Sequence, residues 1–112
     1  MNQCVLYIDD NILEFMLAST MYKNIHFHWL SSCYFAVDAI NAHRGFRFVV
    51  CDIIGVNIVE YHHLNKIQDV VTKYNGSLIL TSSIASEIQF KNVKFMEKDE
   101  VFKFVSSVLT NG

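Results

Sequence analysis

The sequence contains no proline, and only four of its 112 residues are glycine. Proline-rich linkers are excluded, as is a cis bond preceding proline at any turn. Cysteine is scarce. Cys4, Cys33 and Cys51 are widely spaced, odd in number and never paired as CxxC, so they read as small buried hydrophobes in a reducing compartment. Clustered positive charge is also missing: the net charge is -2, which argues against a basic face for nucleic acid. No apolar run approaches the length of a membrane span. The first such run, Cys4 to Ile8, is too short for a signal peptide and is followed at once by acids. A cytoplasmic protein without membrane insertion is the expectation. What remains is a globular composition, 52% apolar and 18% charged, of a size for one domain over residues 1–112.

Apolar runs and helical periodicity alternate along the chain. Cys4-Val5-Leu6-Tyr7-Ile8 reads as a buried strand that ends in Asp9-Asp10-Asn11, with Asp10 or Asn11 able to cap the next helix. Ile12 to Lys23 follows helical spacing, with a stripe of Ile12, Phe15, Met16 and Leu17 widened by Ala18, Met21 and Tyr22. Ile25 to Leu30 alternates apolar and polar residues, as an edge strand does. A helix over Cys33 to Ala42 follows, with Gly45 as its stop signal. Phe46 to Cys51 is a third strand, continuously apolar and ending at Asp52. A helix over Val59 to Tyr74 ends at Asn75-Gly76. Leu78 to Thr81 is a fourth strand, Ser82 to Phe90 allows at most two helical turns, and Val93 to Met96 alternates as a second edge strand. Asp99 is placed to cap a last helix over Glu100 to Leu109.

Five strands alternating with five helices predict right-handed crossovers and an α/β fold with helices on both faces of one parallel sheet. The continuously apolar strands one, three and four belong in its middle, and the alternating strands two and five at its edges. The doubly wound order 2-1-3-4-5 meets that requirement. Ligands of such sheets sit beyond the carboxyl ends of the strands, where the connections change face. Asp9, Asp10, Asp52, Thr81 and Lys98 all follow or end strands at that edge. Crowded carboxylates repel, a cost that a hard cation such as Mg²⁺ removes. Lys98 adds positive charge, and a carboxylate in such surroundings is suited to act as a nucleophile toward a phosphoryl group.

The chain resembles, over nearly its whole length, the CheY-like receiver domain of two-component response regulators. The resemblance rests on Ile8-Asp9-Asp10, Val50-Cys51-Asp52, Leu80-Thr81-Ser82 and Phe95-Met96-Glu97-Lys98. It implies a flavodoxin-like fold with Asp52 as phosphoacceptor. Asp9 and Asp10 would bind Mg²⁺ or Mn²⁺ together with Asp52 and the backbone carbonyl of Ile54. Thr81 and Lys98 would bind the phosphoryl group, and Phe95 would occupy the aromatic switch position. The implied donor is a histidine kinase or a histidine phosphotransfer protein, and the signal would pass to an unidentified protein target, not by conventional enzymatic turnover.

The chain departs from the family pattern at three places. Val56 and Glu60 stand where receivers commonly have proline and glycine, and Ile54 is apolar where a polar residue is frequent. Asp99 follows Lys98 in place of proline, which predicts a trans bond or a distorted loop with Lys98 displaced. The stretch between Thr81 and Lys98 predicts a shortened fourth helix. These departures suit an alternative, a degenerate receiver that binds a protein without phosphorylation. A haloacid-dehalogenase-type hydrolase is disfavoured, because that family carries Asp-x-Asp where this chain has adjacent Asp9-Asp10. The five histidines read as surface or edge-strand residues, and His62-His63 diverge on their helix and form no zinc pair. Phe27 and Trp29 read as core.

Overall fold

The computed structural model describes residues 4–52, 58–82 and 93–111. The elements run β1 (Cys4–Ile8), α1 (Ile12–Met21), β2 (His26–Leu30), a 3₁₀ turn (Cys33–Phe35), α2 (Ala36–His43), β3 (Phe48–Asp52), α3 (Ile58–Lys73), β4 (Ser77–Ser82), β5 (Lys94–Glu97) and α4 (Lys98–Asn111). All strand pairs are parallel, in the order β2-β1-β3-β4-β5. This is the predicted α/β doubly wound sheet. The expected short fourth helix falls in residues 83–92, outside the described residues, as does Ile54 in residues 53–57.

The strand order follows from burial. Every residue of β3 is buried, whereas β2 and β5 each expose alternate positions or their ends, as edge strands do. Because side chains alternate along a strand, the sheet has two core layers. On one face Leu6, Ile8, Val49, Cys51, Leu78 and Leu80 pack against α2 and α3. On the other, Val5, Tyr7, Phe48, Val50 and Ile79 pack against α1 and α4. Cys33 and Cys51 are both buried, with their sulfurs 3.5 Å apart.

Several local features differ from the sequence reading. The first turn after β2 is 3₁₀ over Cys33–Phe35, where the prediction begins an α-helix. α2 is stopped by Arg44, which adopts the left-handed conformation at φ 60° that the prediction assigns to Gly45. Asn75 takes the same role after α3 at φ 63°. The glycine beside it is needed for space: a Cβ on Gly76 would stand 2.6 Å from the Phe46 carbonyl oxygen. β5 passes straight into α4, so Asp99 lies in the first helical turn and is not a cap. The largest difference is α1. Its apolar stripe predicts burial, yet Ile12, Leu13, Met16, Leu17 and Met21 are exposed, and Ala18 is its one buried residue.

Candidate functional site: the carboxyl edge of the sheet

Tyr7 and Val50 point into the α1/α4 layer, so strand alternation brings Asp9 and Asp52, two residues further on, to the same face. Thr81 is the register partner of Asp52 on β4 and continues the face of Ile79. All three are buried. Asp10 is exposed and closes the rim. One carboxylate oxygen from each of Asp9, Asp10 and Asp52 lies within 4.8 Å of the others.

Lys98 is the cation of this cluster. Its Nζ donates to Asp52 Oδ2 at 2.8 Å and lies 3.0 Å from Asp9 Oδ2, with Glu14 Oε1 further off at 3.9 Å. Of the two outcomes that the Lys98-Asp99 junction allows, the trans bond is found, with the Lys98 side chain directed to Asp52 and Asp9. No cis peptide bond is present among the described residues, and Asp99, exposed in the first turn of α4, makes no ion pair with Lys98. The position is adverse for a lysine, because a helix N-terminus repels positive charge. Asp99 and Glu100 in the same turn supply the compensating sign. Burial works against the Lys98 ammonium, but the hydrogen bonds and charges of Asp52 and Asp9 outweigh it and hold the proton more tightly than in an ordinary lysine.

Asp9 is fixed from four directions. Tyr7 Oη donates to its Oδ2 at 2.7 Å, and the Asn11 backbone N–H donates to Oδ1 at 2.9 Å. Trp29 Nε1 donates to its carbonyl at 2.8 Å, and its own N–H donates to the Leu30 carbonyl at 3.0 Å. Burial, then the hydrogen bond to Asp9, push the Tyr7 phenol well above its ordinary value, so it remains a donor. Asn11 also caps α1 by accepting from the Leu13 N–H at 3.0 Å. Tyr7, Asn11 and Trp29 were not singled out as site residues by sequence reasoning. The usable signal was the i, i+2 spacing of Tyr7 and Asp9, which places both on one strand face.

Thr81 Oγ1 is buried and has no hydrogen-bond partner among the described residues. Such an atom carries a desolvation cost that an incoming acceptor removes. Phe95 is half-buried on β5 opposite Leu80 and packs on the α2/α3 side; Met96 is the residue level with Thr81. The donor set fits Mg²⁺ or Mn²⁺. It consists of hard oxygens from Asp9, Asp10 and Asp52, and the exposed rim leaves room for water or phosphate oxygens. An anionic group added at Asp52 would have Lys98 and Thr81 within the same cluster to receive its charge.

No family model and no curated protein matches the sequence. Solved structures do match its fold. The signal receiver domain of a LuxO repressor protein from Vibrio parahaemolyticus aligns at TM-score 0.74 and 16% identity, over 99% of this chain and 92% of that one. A response regulator from Burkholderia pseudomallei, bearing a phosphorylated aspartic acid and a calcium ion, aligns at TM-score 0.76 and 14% identity, over 96% of this chain and 66% of that one. The structure of the P1 domain of CheA3 in complex with CheY6 from R. sphaeroides contains a match at TM-score 0.67 and 13% identity, with 97% of both chains covered. The chain therefore has the fold of response regulator receiver domains.

Proposed function

We propose that this chain is a phosphoacceptor receiver of two-component signalling, with Asp52 as the accepting group. The observation that carries the reading is the Lys98 ammonium, held between the buried carboxylates of Asp52 and Asp9 in the same cluster as the Thr81 hydroxyl, which has no partner among the described residues. In the reaction, an Asp52 carboxylate oxygen attacks the phosphorus of a phosphohistidine in line with the P–N bond. An O–P bond forms, the P–N bond breaks, and the departing imidazole nitrogen keeps the electron pair and takes up a proton. Lys98 follows the charge from the carboxylate to a phosphoryl oxygen, and Thr81 donates its hydroxyl hydrogen to another. Asp9, positioned by Tyr7, Trp29 and the Asn11 N–H, and Asp10 at the rim would hold Mg²⁺ or Mn²⁺ together with Asp52 and the Ile54 carbonyl. The ion supplies charge neutralisation of the transferred group.

The donor on this reading is a histidine kinase or histidine phosphotransfer protein. The neighbour whose partner is a CheA P1 domain supports that class. Output is by protein binding, with no enzymatic turnover. A phosphorylation-independent binding module is the second reading, favoured by the exposed apolar side chains of α1. Incubation with Mg²⁺ and acetyl phosphate or beryllofluoride separates the two. A Mg²⁺-dependent change in tryptophan fluorescence, or a mass increase of one phosphoryl group, that Asp52→Ala abolishes supports the receiver. A native chain that shows neither favours the binding module.

A further inference from the structure

A second group of ligating side chains lies away from the acids. Cys4 begins β1, His28 lies on the edge strand β2, and His43 occupies the last turn of α2. Cys4 pairs in register with His26, so Cys4 and His28, two residues on, present the same sheet face toward α2. The Cys4 sulfur and one imidazole nitrogen of each histidine lie within 4.8 Å of one another. The histidine rings meet edge to face at 4.8 Å, and Phe46 stacks on His43 at 4.2 Å. Both imidazoles line a cleft of about 350 Å³ between β2 and α2, which opens to solvent. His43 Nδ1 is buried with no hydrogen-bond partner among the described residues, so none of them uses the ligating capacity of this nitrogen.

From this juxtaposition we propose that Cys4, His28 and His43 bind a divalent transition metal of the zinc class. One thiolate and two imidazoles are the borderline-soft donors that Zn²⁺ takes and that Mg²⁺ does not. Around a tetrahedral Zn²⁺, sulfur and nitrogen ligands stand roughly 3.3–3.7 Å apart, given bonds of about 2.3 and 2.0 Å. The observed spread therefore closes by about 1 Å, a change within reach of side-chain rotation at the exposed edge strand. The fourth position is left for water or an external ligand. The ion would tie β1, β2 and α2 together. The inference is independent of the reading of Asp52.

Co²⁺ titration of the reduced, metal-free full chain tests the proposal, because cobalt substitutes for zinc and reports its ligands. The expected result is one equivalent of Co²⁺ with a thiolate-to-cobalt charge-transfer band and intense tetrahedral d–d absorption. Zn²⁺ displaces it and excess Mg²⁺ does not. Cys4→Ser removes the band, and His28→Ala and His43→Ala each weaken binding by roughly tenfold or more. Absence of the band, displacement by Mg²⁺, or undiminished affinity in either histidine variant overturns the proposal. A measurement on the native chain keeps the test valid should a variant not fold. Zn²⁺ should slow iodoacetamide alkylation of Cys4, the half-buried cysteine, by at least about tenfold. Equal alkylation with and without Zn²⁺ also overturns it.

Discussion

The two polar clusters flank one strand of five residues, β1, and they contrast in almost every respect. Beyond its carboxyl end, Asp9, Asp52 and Thr81 are buried and oxygen-rich, and a lysine already holds the two carboxylates. Toward its amino end, Cys4, His28 and His43 are sulfur and nitrogen donors; the two histidines and Phe46 line an open cleft, and His43 Nδ1 has no hydrogen-bond partner among the described residues. The first cluster is assembled by strand ends and sets one ammonium, Lys98, against the carboxylates of Asp9, Asp10 and Asp52. The second depends on where a helix happens to finish beside an edge strand. The comparison teaches that the backbone plan alone specifies the acid site, whereas side-chain packing specifies the other.

Substitutions can break that contrast, and the largest effect is expected at Asp52. Asp52→Ala should abolish Mg²⁺-dependent phosphorylation by acetyl phosphate, read by intact mass, while Cys4→Ser leaves it unchanged. Phosphorylation lost in both would make the two clusters one functional unit. Next is Lys98→Met. Removing the ammonium leaves the Asp9 and Asp52 charges uncompensated, and a fully buried pair broken this way costs about 3–5 kcal/mol. Lys98 keeps 14% of its side-chain surface exposed, so a loss of about 2 kcal/mol is expected from urea unfolding. Millimolar Mg²⁺ should restore part of it, and Zn²⁺ at equal occupancy of the Cys4 cluster should act on the native and variant chains alike.

Gly76→Ala probes the opposite end. Its new Cβ presses on the carbonyl of Phe46, the residue whose ring stacks on His43, and overpacking of this kind costs about 1–3 kcal/mol. The thermal midpoint should fall with no change in phosphorylation of the folded protein. The pH dependence of stability is a smaller effect confined to the acid end. Tyr7 and Lys98 both hold their protons more tightly folded than unfolded. Their contribution is complete below about pH 10, where the unfolded groups begin to titrate, and is lost as pH rises toward the folded values. The urea midpoint should decline above about pH 10, and less steeply in Tyr7→Phe. Smallest is Trp29→Phe, which removes one hydrogen bond to the Asp9 carbonyl and should cost about 1 kcal/mol.

The same contrast explains what could be read in advance. Strand order followed from which runs are continuously apolar, and the acid edge followed because Asp9, Asp52 and Thr81 each end such a run. Lys98 was legible as a residue but its backbone was not: β5 joins α4 directly, so Asp99 became a first-turn residue in place of a cap. The α1 stripe shows that periodicity identifies a face without saying what covers it. Ile12, Met16 and Leu17 keep helical spacing while facing solvent. The Cys4, His28 and His43 cluster was invisible because no spacing in sequence relates the end of α2 to β2. Arg44 in the left-handed conformation, beside a glycine that does not adopt it, was equally beyond pattern.

The missing loop between β5 and α4 has a mechanical consequence. A strand edge that becomes a helix within one peptide bond has no slack, so the direction of α4 is geared to the residue that begins it. Over 14 residues the helix extends about 21 Å, and a tilt of a few degrees at Lys98 grows to more than an ångström at its far end. There Asn24 acts as a clasp: its Nδ2 donates to Thr110 Oγ1 and its Oδ1 accepts from Ser106 Oγ, both at 3.1 Å. The helix is thus a lever pinned near its tip, and the amine at its pivot is the group that touches Asp52.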